Sequence, residues 1–271
     1  NLLKGKKGII FGALNDQSIA WKTAIQAHAQ GAELVLTNAP VAMRMGEIHE
    51  LAKQVGGAPV VPADATSVED LTNLFEQAME HFGGQVDFVL HSIGMSPNVR
   101  KGKHYTDINY KFLQTTLDVS AISLHKTLAT AKKLDALNEW GSVVSLSYIA
   151  AQRIFPDYGD MADAKSLLES ITRSFGYHYG VAKKIRVNTV SQSPTVTTAG
   201  SGVKGFDELI SYSEAMSPLG NADAQSCAEY CITLFSDLTR YVTMQTLFHD
   251  GGFSNTGVSM EVISKFGPSE A

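Results

Sequence analysis

Short apolar runs alternate along the chain with longer stretches in which apolar residues recur every three or four positions. The runs GIIFG (8–12), AELVLT (32–37), APVVPA (58–63), VDFVLHS (86–92), GSVVSLS (141–147), IRVNTVS (185–191) and MQTLFHDGG (244–252) read as strands. The segments at about 18–30, 46–55, 68–82, 110–131, 161–179, 207–215 and 222–235 read as helices. In the segment 68–82, Leu71, Leu74, Phe75 and Met79 fall on one helical face. Strand and helix in repeated alternation predict an α/β fold. The expected form is a Rossmann-like, doubly wound parallel sheet of about seven strands with helices on both faces. Right-handed crossovers and a reversal in strand order put a crevice at the carboxyl ends of the first and fourth predicted strands.

Composition adds limits to this pattern. The 271 residues are 44% hydrophobic and 18% charged, which describes an ordinary globular core. No linker or composition shift divides them, so one domain is expected over residues 1–271. A net charge of −5 argues against nucleic-acid binding and against a polybasic membrane surface. The start, NLLKGKKGIIFG, has no long apolar core of a signal peptide, and no apolar run is long enough to span a bilayer. Cys227 and Cys231 lie four apart on a predicted helix with no ligand partner nearby. They read as core-facing neighbours rather than a metal pair, in a reducing, cytoplasmic setting.

The candidate chemistry gathers at 145–165, SLSYIAAQRIFPDYGDMADAK. Tyr148 and Tyr158 are followed by Lys165, seven residues after the second tyrosine, on a predicted helix. A phenol beside an ammonium is a proton donor or an oxyanion stabiliser, because the positive charge favours developing negative charge. The same residues are also compatible with a core tyrosine and an exposed lysine. At the other end of the crevice, Gly12 permits a tight turn after the first strand. Ser18 stands at a helix start, where free N–H groups face a phosphate. Ala20 is small enough for close packing, yet the G-x-G-x-x-G fingerprint is absent. Asp64 follows the third predicted strand and is a candidate acceptor for an adenine amino group, or a turn aspartate. Gly94 ends the fourth, where a cofactor would approach the backbone. After the second strand the sequence is Thr37-Asn38-Ala39-Pro40, with Arg44 beyond and no acid for a ribose 2′-hydroxyl. NADH against NADPH is therefore left open.

Five motifs in order resemble a known family: G-x5-S-I-A at 12–20, H-S-I-G at 91–94, S-Y-x9-Y-x6-K at 147–165, R-V-N-x-x-S at 186–191 and H-D-G-G-F at 249–253. Together they look like the NAD-dependent enoyl-[acyl-carrier-protein] reductases of bacterial fatty acid synthesis, a divergent branch of the short-chain dehydrogenase/reductases. The resemblance implies reduction of a trans-2-enoyl thioester by NADH, with Tyr158 and Tyr148 as active-site tyrosines and Lys165 on the cofactor ribose. It implies that Gly12, Ser18, Ile19, Asp64, Ala65, Ile93, Gly94, Thr195, Val196, Thr197, Thr198 and Ala199 line the cofactor. Ser96 would lie beside the substrate. Met161, Val203 and Phe206 would form part of the acyl pocket, and a loop and helix at about 193–215 would cover it. The implied partners are an acyl-carrier-protein-bound substrate and three further copies in a homotetramer.

Two decoys compete. Tyr179 and Lys183 have the Y-x3-K spacing of ordinary short-chain dehydrogenases, but sit at the end of the predicted helix. Ser145 lies where a carbonyl reductase keeps its serine, which leaves a ketoreductase as the alternative. A dinucleotide-binding regulator without chemistry is the alternative of another class. There are also departures. Many members read A-G-P-I-R-T where this chain reads Gln192-Ser193-Pro194-Thr195-Val196-Thr197. Lys204 is followed by Asp207 and Glu208 where relatives are basic, so Arg100, Lys101 and Lys103 are the candidate basic patch.

Overall fold

A computed structural model describes residues 1–44, 46–195 and 205–266. In chain order the elements are β1 (Lys7–Phe11), α1 (Ile19–Ala29), β2 (Glu33–Thr37), α2 (Pro40–Met43), α3 (Ile48–Gln54), α4 (Val68–Phe82), β3 (Val86–His91), α5 (Pro97–Arg100), α6 (Tyr110–Leu117), α7 (Ser123–Lys133), β4 (Leu137–Ser147), α8 (Gly159–Lys183), β5 (Arg186–Gln192), α9 (Phe206–Met216), α10 (Ala224–Phe235), β6 (Thr246–His249) and α11 (Met260–Ser264). The strands form one parallel sheet in the order β2-β1-β3-β4-β5-β6. After β2 the chain crosses to the far side of β1, so the order reverses between β1 and β3. A crevice opens there at the carboxyl ends of the strands.

Side chains alternate across each strand, and both faces are covered. Ile9 and Phe11 pack on one side with Val89, Val143, Val187 and the apolar face of α4. Ile10 packs on the other with Leu34, Leu36, Leu90, Val144, Val190 and the buried residues of α1 and α10. Helix α4 shows why such segments fold as they do. Ser67 accepts from Asp70 N at its start, Leu71, Leu74, Phe75, Ala78 and Phe82 are buried along it, and Gly83 ends it in a left-handed turn. Cys227 and Cys231 are fully buried on α10, as expected for core-facing neighbours.

Among the described residues the sheet has six strands, one fewer than the pattern predicted. The segment 58–63 runs beside β2 but forms only a single bridge, Val60 with Leu36. Leu36 N donates to Pro59 O and Val61 N to Leu36 O, each at 2.9 Å. Ala63 N reaches Asn38 O at 3.1 Å, but Pro59 has no N–H to extend the ladder toward the start of β2, so the segment trails along the sheet edge. The predicted helix 110–131 is continuous, with a wider π turn at Asp118–Ile122 joining α6 to α7.

Candidate active site

Helix α8 carries the centre of the site. Tyr158 stands just before it and Lys165 two turns along, so both project to one side. Gly159 between Tyr158 and the helix body has φ +49° and ψ −138°, a conformation open to glycine alone, and it aims the tyrosine back over the sheet. The Tyr148 ring, just past β4, meets the Tyr158 ring with centroids 5.1 Å apart at 58°. Phe155 closes the other side of Tyr148, also at 5.1 Å.

Electrostatics divide the roles. Burial holds both phenols well above the ordinary tyrosine range, so each keeps its proton near neutrality. The Tyr148 hydroxyl is buried beside the Ser213 hydroxyl on α9, which interacts with it and opposes part of the rise. Lys165 is 7% exposed, and its Nζ donates to Leu146 O at 2.7 Å. Burial lowers its pKa to about 8, and Glu169 one turn on opposes the fall.

A cavity of about 590 Å³ lies over the carboxyl ends of the strands. That volume falls within the roughly 300–1,000 Å³ of small-molecule sites. Gly12, Ser18, Ile19, Ile93, Gly94, Ser96, Tyr148, Tyr158, Met161, Lys165, Thr195 and Phe206 all line it. Gly12 has φ +90°, and a Cβ there would overlap the Ser92 carbonyl oxygen, so only glycine lets β1 and β3 end this close together. Gly94 opens the floor: a Cβ would sit 3.4 Å from Met161 and 3.7 Å from Lys165 Nζ. At the far end Ser18 caps α1 by accepting from Trp21 N at 3.2 Å. These features fit a dinucleotide, with an elongated groove, a helix N-terminus at one end and a buried cation at the other.

Other expected residues are placed differently. Asp64 is exposed and Ala65 is buried, and neither is among the cavity's lining residues. The Asp64 carboxylate accepts from Thr66 N and Oγ1 at 2.8 and 2.7 Å, the geometry of a turn aspartate. Val196, Thr197, Thr198, Ala199 and Val203 lie outside the described residues. Ser96 lines the cavity, but its hydroxyl is committed to Asp160 at 2.6 Å.

That contact belongs to a network absent from the sequence reading. Asp160 is fully buried at the start of α8 and accepts from Ser96 Oγ, Asn98 Nδ2 and Thr116 Oγ1. Ser120, in the π turn, exchanges hydrogen bonds with Met95 N and O at 2.9 and 3.1 Å. The wall 94–98 is therefore bolted to α8 and to the α6–α7 rod. The only sequence signal was the small polar residues of this wall, whose partners lie far away in the chain.

Both decoys are accounted for by packing. Tyr179 donates to Leu128 O at 2.7 Å, and Lys183 binds Asp135 and Leu137 O on the opposite side of the sheet's end. Ser145 is fully buried in a hydroxyl chain with Thr189 and Thr172 and does not line the cavity.

Comparison with known proteins carries the geometry to a family. The family model described as enoyl-(acyl carrier protein) reductase matches residues 12–254. The NADH-dependent enoyl-[acyl-carrier-protein] reductase FabI of Rickettsia bellii is 36% identical over 258 residues, covering 94% of this chain and 96% of that protein. A crystal structure of a FabI–NADH complex from Alistipes finegoldii superposes with a TM-score of 0.95 at 65% identity, over 96% of this chain and 92% of that one. The enoyl-[acyl-carrier-protein] reductase (NADH) of Aquifex aeolicus gives a TM-score of 0.88 at 30% identity, covering 95% of this chain and all of its own. Matches running over nearly the whole length, with the crevice and its tyrosine pair already in place, leave one assignment: the chain belongs to the enoyl-(acyl carrier protein) reductase family.

Proposed function

We propose that this protein reduces the trans-2 double bond of enoyl thioesters on acyl carrier protein, using NADH. The observation that carries the reading is the meeting of Tyr148, Tyr158 and Lys165 in one cavity at the sheet's switch point. Bound NADH would supply the hydride for the β carbon of the enoyl thioester, and the enolate charge left on the thioester oxygen would be discharged by a proton taken up at the α carbon. Tyr158, its proton retained by burial, donates a hydrogen bond to that oxygen. Lys165 has three donors and gives one to Leu146 O. The other two serve ribose hydroxyls, and the cation sits close to the forming charge. Tyr148, its hydroxyl buried at the cavity beside Ser213, positions the thioester. Phe206, Leu209 and Met161 supply apolar wall for the acyl chain.

The carbonyl-reducing alternative needs a serine hydroxyl in the cavity. Ser145, its candidate, is sealed among Thr189 and Thr172. We take Arg100, Lys101 and Lys103, exposed beside the cavity mouth, as the contact for an acidic carrier protein. Lys101 is steadied over the Phe112 ring at 4.4 Å. Asp207 and Glu208 on α9 put the opposite charge on the other lip. A single-domain, cytoplasmic homotetramer completes the reading. Among the described residues no helix is long and apolar enough to cross a membrane.

The test is NADH oxidation with crotonyl thioester beside acetoacetyl thioester. Consumption with the crotonyl compound alone supports enoyl reduction. Consumption with the acetoacetyl compound alone supports the ketoreductase, and NADH binding without turnover of either supports the regulator.

A further inference from the structure

Lys165 must keep its charge in a buried place. One turn along α8, on the same face of the helix, Glu169 is 4% exposed. Both of its oxygens accept hydrogen bonds, Oε1 from Ser147 Oγ at 2.8 Å and Oε2 from Gln152 Nε2 at 3.0 Å. Two neutral side chains thus hold both oxygens of this acid in place. Ser147 sits between Leu146, which takes the Lys165 hydrogen bond, and Tyr148. The Glu169 carboxylate therefore ties the end of β4 to α8 at the point where both cavity groups are mounted.

We infer that Glu169 is a positioning residue of the reaction, its buried carboxylate keeping Lys165 charged and fixing the strand end that presents Leu146 and Tyr148. The inference rests on the reduction proposed above. Among the described residues, the other titratable groups around the Lys165 ammonium come from three elements: His91 from β3, Tyr148 beyond β4 and Tyr158 at the head of α8. Burial holds all three in their neutral forms near pH 7. Glu169 is the group whose charge favours the ammonium, against desolvation that already lowers its pKa to about 8. Without that carboxylate, Lys165 loses its proton at lower pH, and with it the ability to stabilise a developing anion.

The experiment is the pH profile of kcat/KM for crotonyl thioester reduction by the wild type, Glu169→Gln and Gln152→Ala. A lysine that must be protonated gives a rate that falls as pH rises through its pKa. In Glu169→Gln the alkaline limb moves to lower pH by about one unit, so the rate near pH 8 falls by about fivefold while the rate near pH 6 changes little. Gln152→Ala removes a hydrogen bond but keeps the charge, and its limb stays where the wild type has it. A limb in the same place for Glu169→Gln and the wild type overturns the inference, as does a loss uniform across pH. Should Glu169→Gln fail to fold, Glu169→Asp replaces it: a limb at the wild-type position supports the charge role, and a displaced one overturns it. A wild type that reduces no enoyl thioester sinks the reaction reading itself, an outcome distinct from an unmoved limb.

Discussion

Replacing Asp160 by alanine tests how the cavity wall is held. The carboxylate is fully buried, has no basic partner among the described residues, and three donors converge on it. They are not equally dependent. Thr116 Oγ1 also donates to Phe112 O at 2.9 Å, and Asn98 Nδ2 reaches Asn109 O at 3.2 Å. The Ser96 hydroxyl has Asp160 as its acceptor, and its oxygen already takes the Val99 N–H that starts α5. The variant thus orphans one buried hydroxyl and weakens two further groups. A hydrogen bond to a charged acceptor contributes about 1.5–3 kcal/mol, and an orphaned donor costs about 1–3 kcal/mol. Because two donors keep partners, the expected destabilisation is about 2–4 kcal/mol, not the sum over three bonds. For a chain of this size that lowers the melting temperature by roughly 5–12 °C. Adding Ser96→Ala removes the orphan, so the double variant is more stable than the sum of the single effects predicts. Calorimetry on the single and double variants reads this directly. A melting temperature for Asp160→Ala within about 1 °C of the wild type would refute the reasoning.

Three further outcomes follow from the geometry. Gly12→Ala places a methyl against the Ser92 carbonyl oxygen in a left-handed backbone, so NADH affinity falls at least about tenfold by fluorescence titration, since a position needing positive φ penalises any side chain. His91 is held neutral by burial, its pKa lowered from 6.5 to about 3. Between those values the unfolded chain takes up a proton that the folded one refuses, so stability falls as pH falls, by up to about 1.4 kcal/mol per unit, and urea titrations of His91→Asn show a shallower acid slope. Reversing charge at Arg100, Lys101 and Lys103 together raises KM for the carrier-bound substrate severalfold and leaves KM for a coenzyme A thioester unchanged; equal values for both substrates reject the docking surface.

The sheet was legible because its strands are buried on both faces and write themselves as unbroken apolar runs. The run at 58–63 shows where that signal misleads, since apolar character survives at an edge while Pro59 removes a donor the strand needs toward β2. Tyr148, Tyr158 and Lys165 were legible because they share one short stretch on a helix and its approach. Asp160 stands in the same stretch and Glu169 one helical turn beyond it, and neither was. An acid at the start of a helix looks like a partner for the helix dipole, and one four residues after a lysine looks like a surface pair. Their burial is decided by Ser96, Asn98 and Thr116 in one case and Ser147 and Gln152 in the other, which only the folded chain brings to them. Asp64 shows a limit of another kind: an acid after an apolar run reads equally as an adenine acceptor or a turn aspartate, and its Oδ1 takes the Thr66 N–H and hydroxyl in the folded chain.

The account turns on Tyr158 as the donor to the reacting oxygen, and one pair of measurements addresses it. Wild type and Tyr158→Phe are compared for NADH affinity and for turnover of crotonyl thioester. Tyr158→Phe keeps the ring against Tyr148 and removes only the hydroxyl. The account predicts an NADH dissociation constant within about twofold of the wild type and a kcat lower by about 10²–10³, the usual cost of one oxyanion donor. Equal turnover by the two proteins, with NADH bound equally well, would contradict it.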